Sequence, residues 1–566
     1  AAWGGGTMFL GPIFSMRGYS RPLEVGEATF NTHLDQARFG LCGNVHVIGV
    51  PREFGSPSPA YGSATNAPLE VISFSAGPLT EYADGVTAAD GGEGVRAKCL
   101  GYSFPGSDEI HAGTSFRSEF VDGMVVIWRW QVQYRVTVDG QNPQWVDDGA
   151  DVTVTVPAGT CALIGTDTPV TIDGTRATFK VTRACDVKPL MGGTGVVRYW
   201  TGAADASAAN PENWQTAGGE AGCPAEGDTV ILNAGAQPMT WDLDGVTLAN
   251  WVQAGYTGTV TFQTGRDGLA KGAAKSAHGV LLDDGETKAL KVTGSVSLAS
   301  GTWTHTAQPA FNKNEAAMAD FKGIWRIVAD VGGDFMIGEG ATIDVTSKGF
   351  GTLSVTGAGD GAHGGFSSAY WGPDGDGPAY GYIKSVRSLG SRTGGGNVEL
   401  HVGGLTTLNG TIVASSAAAN SGHGSGGGIW IDTGSLVGSG TVSARPGPCP
   451  NGGGAGGRIA LWVNDPGADF SKFTGTVTAA DAGTRSNTGT IYYQTAADNG
   501  NGELLVLGSG DAGGGYSDTE TRFGYGTGVA SGDLADSTFR RLTIKNCGRA
   551  AVLSGQTLRV GEVVAT

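Results

Sequence analysis

The chain has 566 residues, a formal charge of −17 and only 16% charged side chains, with 99 glycines and 22 prolines. A length of this order exceeds one ordinary compact domain, so several modules or a solenoid with appended modules are expected. The acidic balance argues against nucleic acid, which requires a basic face; the glycines follow no Gly-X-Y period, which excludes collagen; and 40% hydrophobic residues argue against wholesale disorder.

The chain opens Ala1-Ala2-Trp3, which reads as a mature end left after cleavage behind small residues. Residues 1–50 read as an N-terminal arm with short apolar pieces at 8–10 and 45–48. Such a piece either packs on its own chain or pairs with a neighbouring subunit. Residues 51–132 read as a small β module, with strand signals at 69–74 and 96–102. From Trp128 to Val138 the alternation is strict: Trp128, Trp130, Val132, Tyr134, Val136 and Val138 share one face. At about 3.3 Å per residue this strand is longer than usual and is inferred to cross a module junction. Residues 133–190 read as an immunoglobulin-like β-sandwich, from alternating runs at 134–138, 152–156, 170–172 and 177–181 separated by turn residues.

Over residues 191–566 the texture changes to short strands between Gly-rich turns. Gly410-Thr-Ile-Val-Ala414, Gly440-Thr-Val-Ser-Ala444 and Gly475-Thr-Val-Thr-Ala479 align, each preceded by another strand. With Val398, Ile429, Ile459 and Ile491 taken as equivalents, the spacings are 31, 30 and 32 residues. A near-constant period with two or three short strands per repeat predicts coils stacked about 4.8 Å apart, a parallel β-helix. The Gly runs at 394–396, 426–428 and 452–454 are expected at coil corners, where glycine reaches φ > 0 without penalty. Segments 257–262, 293–298 and 341–345 echo the same strand at wider spacing. The largest insertion, 349–392, is rich in Gly and aromatics. The last residues, 558–566, read as an unfinished strand pattern, so the chain reads as a fragment or processed product. No stretch approaches the roughly 20 apolar residues of a membrane span.

Tyr199-Trp200-Thr-Gly, Asn213-Trp214, Pro224 and Gly227-Asp228-Thr-Val-Ile-Leu232 together resemble the opening of β-helix regions in large exported bacterial proteins of the autotransporter-associated-strand type. Gly426-Gly-Gly-Ile-Trp-Ile, Gly440-Thr-Val-Ser-Ala and Gly456-Gly-Arg-Ile-Ala-Leu are similar to the Gly-rich coils of surface proteins from Planctomycetes, Verrucomicrobia and Kiritimatiellota. Cys99-Leu-Gly-Tyr102 with residues 127–134 is similar to a small β repeat found beside such coils. The resemblance covers roughly residues 55–566 and implies an all-β protein, a right-handed parallel β-helix preceded by small β-sandwich modules. It carries no catalytic residues.

Seven cysteines (42, 99, 161, 185, 223, 449 and 547) form no CxxC pair, so zinc ribbons and redox motifs are not expected. Cys161 and Cys185 are the candidate disulfide, since both fall in one small module; the alternative is buried thiols. Acid pairs in Gly-rich turns at 242/244, 283/284 and 374/376 fit ordinary turn chemistry. Asp374 and Asp376 are the best calcium candidates, but they lack the further ligands of an EF-hand loop. No other cofactor is expected. The eight histidines are scattered, without a zinc-hydrolase spacing. Phe366, Tyr370, Trp371, Tyr380 and Tyr382 in the insertion either stack on sugar rings or cover an open face of the solenoid.

The expectation is a non-enzymatic, secreted cell-surface protein, structural or adhesive. It would be a self-assembling subunit of an extracellular filament or layer that associates through strand edges or helix ends. The alternative is a β-helix that binds or cleaves extracellular carbohydrate. Neither reading involves nucleic acid or a membrane span.

Overall fold

The computed structural model describes residues 21–22, 42–62, 65–68, 71–77, 83–84, 94–107, 109–119, 123–139, 141–263, 288–307, 325–349, 363, 381–417, 424–447, 454–480, 488–508, 521–523, 538–546, 548–552 and 557–566. These residues are all-β, and their helical pieces are single 3-10 turns such as Pro211–Asn213. No helix among them is long and apolar enough to cross a membrane. The chain forms two compact units, residues 1–152 with 181–186, and residues 153–180 with 187–566.

The first unit is built on strand Met124–Val138. Cys42–Val50 pairs with it in parallel; Val95–Ser103 and Gln144–Asp147 pair antiparallel. The apolar piece at 45–48 therefore pairs within its own chain, and the piece at 8–10 lies outside the described residues. The strict alternation has its physical counterpart: Trp128, Trp130, Val132, Tyr134, Val136 and Val138 are all buried. Tyr102 stacks on Phe116 at 3.7 Å, and Phe116 meets Trp128 edge-on at 6.2 Å.

The strand Met124–Val138 runs unbroken across the expected junction at 132/133, with Ala97 opposite Val132 and Arg96 opposite Gln133. Of the stretch 133–190, residues 133–152 and 181–186 belong to the first unit and residues 153–180 and 187–190 to the second.

Cys161 and Cys185 are not joined to each other; both are thiols. Strand Thr160–Ile164 pairs antiparallel with Cys185–Met191 so that Ala162 meets Leu190 and Ile164 meets Lys188. The Cys161 thiol donates to the Leu190 carbonyl at 3.4 Å, five residues along that strand from Cys185. Five residues of strand are about 16 Å, well beyond the roughly 7 Å that a disulfide allows between Cα atoms.

In the second unit, most strands pair in parallel with strands two or three further along the chain, and these pairings fall into three columns, or faces, each passage through them being one coil. Face one stacks Leu290–Val292, Ile327–Val331 and the first halves of Asn397–Leu408 and Gly428–Val437, then Arg458–Val463 and Thr490–Thr495, all in parallel. The observed partners Val398↔Ile429, Ile429↔Ile459 and Ile459↔Ile491 are the equivalences read from the repeat. Face three does the same for Ile412, Val442 and Val477. Apart from Val477, which is partly buried, each inward Ile, Val or Leu of these columns is essentially sealed from solvent, a contribution of about 1.5–3 kcal/mol apiece. The first coils use rings instead. Trp241, Trp251, Trp303 and Phe335 follow one another edge-on at 5.1, 5.6 and 5.7 Å.

One echo was misplaced. Segment 293–298 lies on face two, with Val296 between Trp251 and Phe335. Face three of that coil is instead Thr302 to His305.

The corner glycines also act differently from expectation. Gly396, Gly427, Gly457 and Gly489 are absent from the positive-φ positions. They are needed because coils touch there. A Cβ on Gly427 would lie 2.0 Å from the Gly396 carbonyl oxygen, one on Gly457 2.0 Å from that of Gly427, and one on Gly489 1.9 Å from that of Gly457.

Both ends of the stack have their own chemistry. At the start, Val197–Trp200 pairs antiparallel with Trp214–Gln215, and Trp200 meets Trp214 at 5.1 Å. The buried Asn213 side chain accepts from the backbone of Ala204 and Asp205 and donates to Ser207, which holds the loop shut. At the far end, Glu503–Leu507 runs antiparallel to Thr490–Thr495, and Thr538–Lys545 and Arg559–Ala565 then add in parallel.

Candidate polar groove on face one

Outward positions of face one form a column. Thr247, Lys291, Asp330, His401 and Asp432 are successive register partners, each on its own coil. Four coil steps span about 19 Å. Beside the column lies a groove of about 560 Å³, to which Asn464 adds a further wall. That is the size range of small-ligand sites. Its floor at Gly332 and Gly403 is bare backbone, since a Cβ on Gly403 would lie 2.5 Å from the Gly332 carbonyl oxygen.

Behind the column the charges are buried and paired. Arg326 and Glu399 are both almost fully buried and meet at 2.5 Å. Arg387 lies 3.7 Å from the second Glu399 oxygen. His401 stands between Glu399 at 3.8 Å and Asp432 at 3.5 Å, and its ring meets Trp430 edge-on at 4.7 Å. The Asn464 amide donates to the other Asp432 oxygen at 2.5 Å.

The electrostatics follow from these distances. Burial alone would lower the His401 pKa. Hydrogen bonds to Asp432 and Glu399, with the negative charges of Glu399 and Asp330, outweigh it and hold it at about 9. Burial pushes the Glu399 and Asp432 carboxyls up, but Arg326 and His401 bring Glu399 below its ordinary value, and His401 with Asn464 does the same for Asp432. At neutral pH the column thus carries an imidazolium between carboxylates. His305 and His363 behave oppositely: full burial drives both down to about 3. His305 places Nδ1 2.9 Å from the Thr306 carbonyl and accepts from the Asn397 backbone through Nε2, a neutral corner piece.

Part of the insertion 349–392 covers the outer side of the same face. Ile383 and Val386 pack with Trp430, Ala460 and Tyr492, and with Leu504, Val506, Phe539 and Leu542 of the closing strands. The Trp462 indole donates to the Lys384 carbonyl at 2.8 Å.

Of the residues singled out from sequence, Asp374, Asp376, Phe366, Tyr370, Trp371 and Tyr380 lie outside the described residues, as do positions 283 and 284. Tyr382 is partly buried and engaged by a neighbour. Asp242 serves a turn, accepting from Ser207 and the Ala209 backbone, and Asp244 pairs with Lys288. Among the described residues no group of three or more His, Cys, Asp or Glu is arranged to hold a metal ion.

The groove residues were missed, although the repeat contained a signal for two of them. His401 and Asp432 each lie three positions after the equivalents Val398 and Ile429, so they had to be neighbours. No family model, curated protein or solved structure matches the chain.

Proposed function

We propose that residues 191–566 form a right-handed parallel β-helix and that the protein is a secreted, non-catalytic surface scaffold, structural or adhesive, that assembles with copies of itself. The observation that carries this reading is the register: equivalent strands pair in parallel, coil upon coil, from residue 197 to residue 495. Such a stack is a long, stiff rod whose outer faces can vary while the core repeats. Aromatic and aliphatic columns make it a continuous apolar core, and stacked glycines fix the distance between coils. Exposed strand edges and stack ends offer the contacts through which such rods join. Negative-stain electron microscopy of native extracts tests the reading. Filaments, sheets or regular oligomers are expected; strictly monodisperse monomers would overturn it.

A second reading, carbohydrate binding, is favoured by one specific observation, the groove along face one, where Lys291 and Asp330 are exposed and no described residue hydrogen-bonds or ion-pairs with them.

A further inference from the structure

From the charge pattern of the groove we infer that it binds a neutral, hydroxyl-rich polysaccharide chain laid along the coil stack, with Asp330 accepting from its hydroxyls and Lys291 donating to them. The inference rests on the carbohydrate-binding reading and names the class of glycan.

Four features select that class. The groove is long and follows the column from Thr247 to Asp432, so it suits a chain rather than a compact molecule. Its walls alternate in sign: Lys291 is positive, Asp330 negative, His401 positive and Asp432 negative. A polyanion would meet two carboxylates and a polycation two cations, so either would face repulsion within a few ångströms. A neutral chain faces none and finds donors and acceptors in turn.

The walls also divide into occupied and open groups. Asp432 is already bonded to His401 and Asn464. No described residue hydrogen-bonds or ion-pairs with the Asp330 carboxylate or the Lys291 ammonium, and both side chains are exposed. These two therefore retain bonding capacity for a ligand. The bare floor at Gly332 and Gly403 lets a ring approach the backbone closely.

Affinity electrophoresis of the full chain tests the proposal, in gels containing hydroxyethylcellulose, mixed-linkage β-glucan or galactomannan, and in parallel gels containing polygalacturonate or alginate. At least one neutral polymer is expected to retard the protein, and the acidic polymers are not. Asp330→Ala and Lys291→Ala should each weaken retardation about tenfold, the usual scale for losing a hydrogen bond to a charged group. Lys472→Ala, an exposed site outside the groove, should bind as the wild type. Circular dichroism and thermal melting confirm that each variant is folded. Retardation that both groove variants retain in full would overturn the groove assignment while leaving carbohydrate binding standing. Stronger retardation by an acidic polymer would overturn the neutral class. No retardation by any polymer would remove both inferences and leave the scaffold reading to its own test.

Discussion

Replacing Gly457 with alanine should destabilise the coil stack far more than an ordinary glycine substitution. The added Cβ would stand 2.0 Å from the Gly427 carbonyl oxygen, 2.7 Å from the Gly426 carbonyl carbon and 2.9 Å from the Gly427 nitrogen. All three are backbone atoms of the adjacent coil, so no side chain can swing away. The residue also donates to the Ala444 carbonyl at 2.8 Å and accepts from the Thr490 amide at 3.1 Å. Overpacking typically costs about 1–3 kcal/mol, and each backbone bond loosened by the shift adds about 1 kcal/mol, giving a loss of about 3–5 kcal/mol. The comparison is Gly467→Ala. Gly467 has φ of 80° and nothing within 4 Å of the added carbon, so its cost is the left-handed backbone alone, about 1–2 kcal/mol. Guanidinium unfolding followed by tryptophan fluorescence, with limited proteolysis to locate the opened coils, measures both. An equal or smaller loss for Gly457→Ala would refute the claim that coil contact, rather than backbone dihedral, selects glycine at these corners.

The charged column should make stability depend on pH from both sides. The folded His401 pKa, about 9, lies above its unfolded value, so its contribution is complete below about pH 6.5 and fades as pH rises toward 9. Glu399 and Asp432 are lowered on folding, so their contribution is present above the ordinary carboxylate range and is lost on further acidification. Melting curves of wild type and His401→Gln should therefore differ near neutrality and converge above pH 9. Arg326→Met should cost about 3–5 kcal/mol by taking from the buried Glu399 its closest charged partner and leaving only the longer contacts to Arg387 and His401, and Arg326→Met with Glu399→Gln should recover most of it; chemical denaturation of the single and double variants checks this. Cys161 and Cys185 should both take up maleimide in denaturant without prior reduction, as read by mass spectrometry of their peptides.

Sequence reading reached furthest where a repeat converts directly into register. Val398, Ile429, Ile459 and Ile491 are equivalent because each must fill the same slot of the core one coil higher. The alternation over 128–138 reveals its buried face for a similar reason, since a strand has only two sides. Reading failed where spacing was broken. Ile327 precedes its partner Val398 by 71 residues because the insertion intervenes, so Asp330 could not be seen beneath His401. The motif at 293–298 shows that a strand begins but not which face it joins, and it was assigned to the wrong one. The disulfide expectation failed because sharing a module does not place two side chains opposite each other; only register does.

Stacking constrains charge as firmly as it constrains shape. Outward side chains on one column stand about 4.8 Å apart, where like charges repel by about 1 kcal/mol even in water. A chain carrying 53 acidic residues against 36 basic ones therefore gains from alternating signs along a face, as Lys291, Asp330, His401 and Asp432 do. If that column acts as a unit, reversing one member must be felt by the next. Asp330→Lys removes a charge that helps hold the His401 proton and puts a cation in its place. The His401 pKa should then fall clearly below about 9, as followed by the imidazole resonances in an NMR titration, while His305 and His363, buried at corners away from the groove, stay unprotonated. An unchanged His401 titration would mean that neighbouring coils do not share their charges, and the electrostatic account of the groove would fail with it.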